Sequence, residues 1–136
     1  EGDHPHAGAV LLAGTADHLV FGSPTRLIYS RQPTDVPFSP SVDAFFASIV
    51  THWPGEAIGI LLTGMGRDGA DGLRLLREAG HHTIAQDEAT SAVYGMPKAA
   101  AELRAAHEIL PLESIAPRVS MLLASKLGTR NLKLAT

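Results

Sequence analysis

The chain has 136 residues, 45% apolar and 18% charged, the balance of one soluble globular domain and too apolar for intrinsic disorder. It contains no cysteine, which excludes disulfides and thiolate metal sites and is compatible with a reducing compartment. Fourteen acids against eleven bases give a net charge of -3. That sign argues against a nucleic-acid partner, and no apolar run approaches the ~20 residues needed to insert across a membrane. The polar start, Glu1-Gly2-Asp3-His4-Pro5-His6, lacks the plan of a signal peptide. Residue 1 is Glu rather than Met, so the sequence is expected to begin inside a longer chain.

In chain order, residues 10–13, 18–21 and 26–29 are short apolar runs separated by turn residues. Gly22-Ser23-Pro24-Thr25 predicts a hairpin between the second and third. Residues 31–40 carry Pro33, Pro37 and Pro40 and read as an extended loop. Ser39-Pro40 resembles an N-cap with proline behind it, opening a helix over 41–52 that buries Val42, Phe45, Phe46 and Ile49. Residues 57–62 form a continuous apolar run, as in a strand covered on both faces. Helices follow over 70–79, 97–106 and 113–126, with strands at 83–86 and 108–110. This alternation predicts an α/β fold, doubly wound, with a mainly parallel sheet flanked by helices and an N-terminal β-hairpin. Three parallel strands make a thin sheet with a bare edge, so further strands are expected upstream of residue 1.

The most informative segment is Thr63-Gly64-Met65-Gly66-Arg67-Asp68-Gly69. It links a buried strand to a helix, where α/β proteins place ligand and catalytic groups. Gly64, Gly66 and Gly69 match the dinucleotide-binding spacing, and Asp87 or Glu88 stands where that motif needs an acid. Charge opposes this reading. A pyrophosphate at the helix N-terminus would meet Asp68 and Asp71, and unit charges ~4 Å apart repel by roughly 4 kcal/mol near a surface. Asp71 is accounted for by the helix dipole. Asp68, set between the glycines Gly66 and Gly69, reads as a functional carboxylate that ligates metal, moves a proton or orients a histidine. Metal is the weakest of these: His4 and His6 lie near the terminus, and His81 and His82 point to opposite sides of an extended strand. Orienting a histidine, as in a serine hydrolase triad, remains.

Ile60-Leu61-Leu62-Thr63-Gly64-Met65-Gly66-Arg67-Asp68-Gly69-Ala70, with Ala85-Gln86-Asp87-Glu88-Ala89-Thr90-Ser91 and Val93-Tyr94-Gly95-Met96-Pro97, resembles the catalytic domain of CheB-type protein-glutamate methylesterases. The match is strong over residues 57–102 and looser around Pro40-Ser41-Val42-Asp43 and residues 13–18. The resemblance implies that residues 1–136 are a single domain, the C-terminal portion of a cytoplasmic bacterial hydrolase that removes methyl esters from glutamates of chemoreceptor helices. Many such enzymes also deamidate glutamines, and most carry an N-terminal receiver domain. By resemblance Asp68 is the acid of a Ser-His-Asp triad that uses no cofactor and no metal. Met65, Gly64, Gly66, His18 and Met96 line the site. The family's Gly-x-Ser-Thr-Gly-Gly and Gln-His-Met-Pro segments, which supply serine and histidine, do not occur in these 136 residues, so the chain by itself is expected to be inactive. Phe38-Ser39 stands where the family usually has His-Arg, and Ala13-Gly14-Thr15 replaces Ala-Pro-Gly. Besides the dinucleotide domain, the alternative is a non-catalytic interaction module of the same fold.

Overall fold

The computed structural model describes residues 3–134, with side chains described through Lys126. Strands β1 (His18–Ser23) and β2 (Arg26–Ser30) form an antiparallel hairpin with His18 opposite Ser30 and Phe21 opposite Leu27. Helix α1 (Val42–His52) follows, then β3 (Ile58–Leu61), α2 (Ala70–Glu78), β4 (His82–Gln86), α3 (Met96–Glu102), β5 (Glu108–Leu110) and α4 (Leu112–Leu134). The last three strands form a parallel sheet in the order β3-β4-β5. The expected class, a parallel sheet flanked by helices with an antiparallel hairpin before it, is the one found.

The pleat of β3 decides the layering. Gly59 faces α2, so closely that a Cβ there would lie 2.7 Å from Leu76 Cδ1 and 2.9 Å from Leu73 Cδ1. Ile58 and Ile60 point the other way and line a groove with Val119 and Leu123 of α4, as period-two alternation requires. Leu73, Leu76 and Ile84 are fully buried, and each contributes ~1.5–3 kcal/mol by leaving water. Helix α1 packs between α2 and the hairpin: a Cβ on Gly72 of α2 would lie 2.8 Å from Phe46 Cβ, Phe45 stacks on Phe21 at 6.3 Å, and Trp53 lies 5.4 Å from the same ring.

Four features differ from the sequence reading. Residues 10–13 are not a strand. Val10 is 86% and Leu12 84% exposed, and no strand pairs with them among the described residues. Helix α1 is capped by Ser41, not Ser39: the Ser41 hydroxyl accepts from Ala44 N, whereas Ser39 Oγ donates to Ala16 O at 2.6 Å. Helix α3 stops at Glu102 instead of 106. Arg104 adopts φ +52°, and the Arg77 guanidinium takes the carbonyls of Arg104 and Ala106 at 2.8 and 2.6 Å. These groups are thereby satisfied outside a helix. Helix α4 is also longer than the 113–126 expected.

Candidate active site

The site is built at the carboxyl ends of β3 and β4, where their two loops are zipped together. Thr63 N donates to Oε1 of the buried Gln86 at 2.8 Å, and Gln86 Nε2 donates to Thr90 O at 2.8 Å. Val93 N donates to Thr63 Oγ1, Gly64 N to Val93 O, and both Gly95 N and Met96 N donate to Gly64 O. The glycines follow from this packing. A Cβ on Gly64 would strike Met96 Sδ, and one on Gly95 would sit 2.7 Å from Gly64 O and 2.9 Å from Gly66 N. Gly66 and Gly69 have φ +87° and +88°, the left-handed region that favours glycine.

Asp68 leaves this loop toward the start of α1. Its Oδ2 accepts from Val42 N at 2.7 Å, and its Oδ1 accepts from Asp43 N at 3.1 Å and Ser41 Oγ at 2.8 Å. With Ser41 Oγ accepting from Ala44 N at 3.2 Å, the first three amides of α1 are satisfied, and the carboxylate lies at the positive end of the helix dipole. The favour is returned. Asp43, in the first turn of α1, accepts from Gly72 N in the first turn of α2 at 2.6 Å. Burial pushes the Asp43 carboxyl above the usual aspartate range; the Gly72 amide opposes this, and the charges of Asp68 and Asp71 reinforce it. Helix α1 therefore begins on a carboxylate from the loop that leads into α2, and α2 on one from the first turn of α1.

A cleft of about 150 Å³ opens beside these groups, walled by Val36, Pro37 and Phe38 on one side and by Arg67, Asp68 and Asp71 on the other. Met65 stands at the loop tip, 85% exposed. Met96 is half-buried beneath Gly64. His18 is brought near but lies behind the cleft wall, 2% exposed, with Nδ1 accepting from Ser41 N and Nε2 donating to Pro33 O, each at 3.0 Å. Ser91 is engaged locally, donating to Asp87 O. His4 and His6 hold backbone carbonyls, whereas His81 accepts from Ala57 N and His82 meets Glu108.

The dinucleotide alternative finds no support here. The Gly72 amide at the start of α2 is already occupied by Asp43, three carboxylates crowd that terminus, and Asp87 turns back on Thr90 N and Oγ1. The sequence reading missed Asp43, Gln86, Thr63 and the part Ser41 plays beyond opening a helix. The one local signal was a polar Ser41-Val42-Asp43 helix start, which carries no information about a partner 25 residues away.

The CheB methylesterase family model matches residues 1–119. The chain belongs to the CheB methylesterase family. It is 67% identical over 120 residues to a protein-glutamate methylesterase/protein-glutamine glutaminase of Cupriavidus metallidurans, covering 88% of this chain and 36% of that protein. A Burkholderia pseudomallei protein of the same name is 63% identical over 119 residues, covering 88% and 35%, and one from Bordetella avium 59% over 124 residues, covering 91% and 36%. Among solved structures, the Thermotoga maritima CheB methylesterase catalytic domain superposes with a TM-score of 0.76 at 29% identity, over 90% of this chain and 66% of that one. The chain thus spans little more than a third of the length of its curated relatives and two-thirds of the catalytic domain solved in T. maritima. No helix among the described residues is long and apolar enough to cross a membrane.

Proposed function

We propose that this chain is the C-terminal part of a protein-glutamate methylesterase catalytic domain and that Asp68 is its triad acid. The observation that carries the reading is the state of the Asp68 carboxylate: three hydrogen bonds fix it, two on Oδ1 and one on Oδ2. A carboxylate oxygen offers two lone-pair sites, so Oδ2 keeps one acceptor position. That is the requirement for a triad acid, which holds an imidazole by its Nδ1–H and stabilises the imidazolium without taking the proton.

The serine and histidine come from a segment outside this sequence. The open edge of β3 supports that placement: only β4 pairs with it among the described residues, and beside it lies a groove of about 560 Å³ lined by Trp53, Ala57, Ile58, Ile60, Val119 and Leu123. In the complete protein the serine attacks the γ-carbonyl of a glutamate methyl ester while the histidine accepts its proton. Methanol leaves with that proton, and water attacking the acyl-enzyme frees the glutamate. A glutamine substrate gives the same acyl-enzyme with loss of ammonia. The substrate is a cytoplasmic chemoreceptor helix, and a receiver domain precedes the catalytic domain. Met65 at the loop tip and Phe38 across the cleft are the apolar groups a substrate side chain meets beside Asp68. Met96 acts from beneath by supporting Gly64.

Asp68→Asn in the full-length protein tests the assignment. Hydrolysis of a peptide glutamate methyl ester is expected to fall by orders of magnitude, with ~10⁴-fold the serine-protease precedent for the wrong histidine tautomer. Turnover within tenfold of the parent removes Asp68 from the triad.

A further inference from the structure

The hydrogen bonds behind the cleft form a chain that the triad reading does not itself require. His18 is buried, and because Ser41 N–H donates to its Nδ1 at 3.0 Å, that nitrogen carries no proton. The ring is therefore the neutral Nε2–H tautomer, donating to Pro33 O at 3.0 Å. Both nitrogens are used, so the ring bridges Pro33 to the backbone of Ser41. The Ser41 hydroxyl is constrained in turn. Its one proton points to Asp68 Oδ1 at 2.8 Å, while its oxygen accepts from Ala44 N.

From this geometry we infer that Ser41, set in place by His18, is a positioning residue that fixes the orientation of the Asp68 carboxylate and takes up part of its negative charge. The inference rests on Asp68 being the triad acid. A helix N-cap needs only an acceptor oxygen for the third amide. The hydroxyl proton aimed at Asp68 is surplus to that task. Hydrogen bonds donated to a carboxylate take up part of its charge; withdrawing this one leaves Asp68 freer to rotate and leaves more of that charge to act on the triad histidine. That histidine then holds its proton more tightly, and the acid limb of the rate profile moves to higher pH.

The test uses full-length protein and a peptide glutamate methyl ester. Ser41→Ala is expected to lower kcat about tenfold, the worth of one lost hydrogen bond of ordinary net strength, with KM unchanged. The acid limb of kcat/KM is expected to shift upward, and Ser41→Thr, which keeps the hydroxyl, to restore both. The other charged groups facing the cleft, Arg67, Asp43 and Asp71, are the same in every variant, so the shift reports Ser41. Should the alanine variant fail to fold, Ser41→Gly takes its place: glycine caps a helix within a few tenths of a kcal/mol of serine but has no hydroxyl. A variant that loses thermal stability while its kcat and pH profile stay at the parent's values shows a cap alone and overturns the inference. Asp68→Asn, assayed alongside, separates the two claims: an inactive Asp68→Asn beside an unshifted Ser41→Gly refutes the positioning role, whereas an active Asp68→Asn refutes the triad acid beneath it.

Discussion

Asp68 starts a helix as well as facing a cleft, so its removal has a structural cost that can be worked out separately from turnover. Asp68→Ala strips the acceptor from Val42 N, Asp43 N and Ser41 Oγ. Losing one capping side chain costs ~0.5–2 kcal/mol, and an anion in the dipole field of a helix start is worth a further ~0.3–1 kcal/mol. Because the position is half-buried, water replaces part of what is lost. The expected cost is therefore about 2 kcal/mol, below the sum of three sealed charged bonds at ~1.5–3 kcal/mol each. Asp68→Asn retains one oxygen for Ser41 and Asp43 but turns an amide toward the Val42 N–H, donor against donor, for a cost of about 1 kcal/mol. Native-state amide exchange on a peptide covering the start of α1 reads these numbers directly. Protection there should fall about thirtyfold for Ala and about fivefold for Asn. Equal protection in parent and Ala variant, or an Asn variant as exposed as Ala, would refute the reasoning.

Gly95→Ala drives a methyl against three backbone atoms, Gly64 O, Gly66 N and Gly66 O, all within 3.0 Å; we expect a loss of ~1–3 kcal/mol in chemical denaturation and a separate fall in esterase kcat as the Asp68 loop shifts. An unchanged kcat would show that the two loops are not coupled. Burial alone would raise the Glu108 carboxyl, but hydrogen bonds from Arg118 and His82, with their charges, hold it below the usual glutamate range. Its stabilising effect is thus complete above the unfolded-state value and lost as pH falls through the lowered one. Urea midpoints of the parent and Glu108→Gln should differ at pH 7 and converge on acidification below about pH 4; a gap that persists in acid would exclude the linkage.

The sheet was legible because burial on two faces leaves a plain mark. The run at 57–62 became β3, and the 3.6-residue stripe of α2 placed Leu73 and Leu76 in the core. Asp68 was legible as an exceptional carboxylate through its glycine neighbours. Its partners were not, since Ser41, Val42 and Asp43 lie 25 to 27 residues away in sequence, and the amides that bind it look the same in any residue. The errors share a cause. Residues 10–13 have strand-like apolarity but pair with no strand among the described residues, and the alanine-rich stretch before Ala106 has helical propensity that Arg77, on another helix, overrides. Local chemistry proposes an element, and a distant side chain decides where it ends.

The reciprocal caps bear on how sequences of this family are read. An aspartate that anchors α1 has a structural task beside the catalytic one proposed for it, so a chain of this fold without its nucleophile would still lose stability by discarding this acid. Retention of Asp68 therefore marks an intact helix pair and is a poor census of active enzymes. A survey that scores activity by the motif around Asp68 would count a member without its nucleophile as functional. The residues that report turnover are those with no second task in the scaffold.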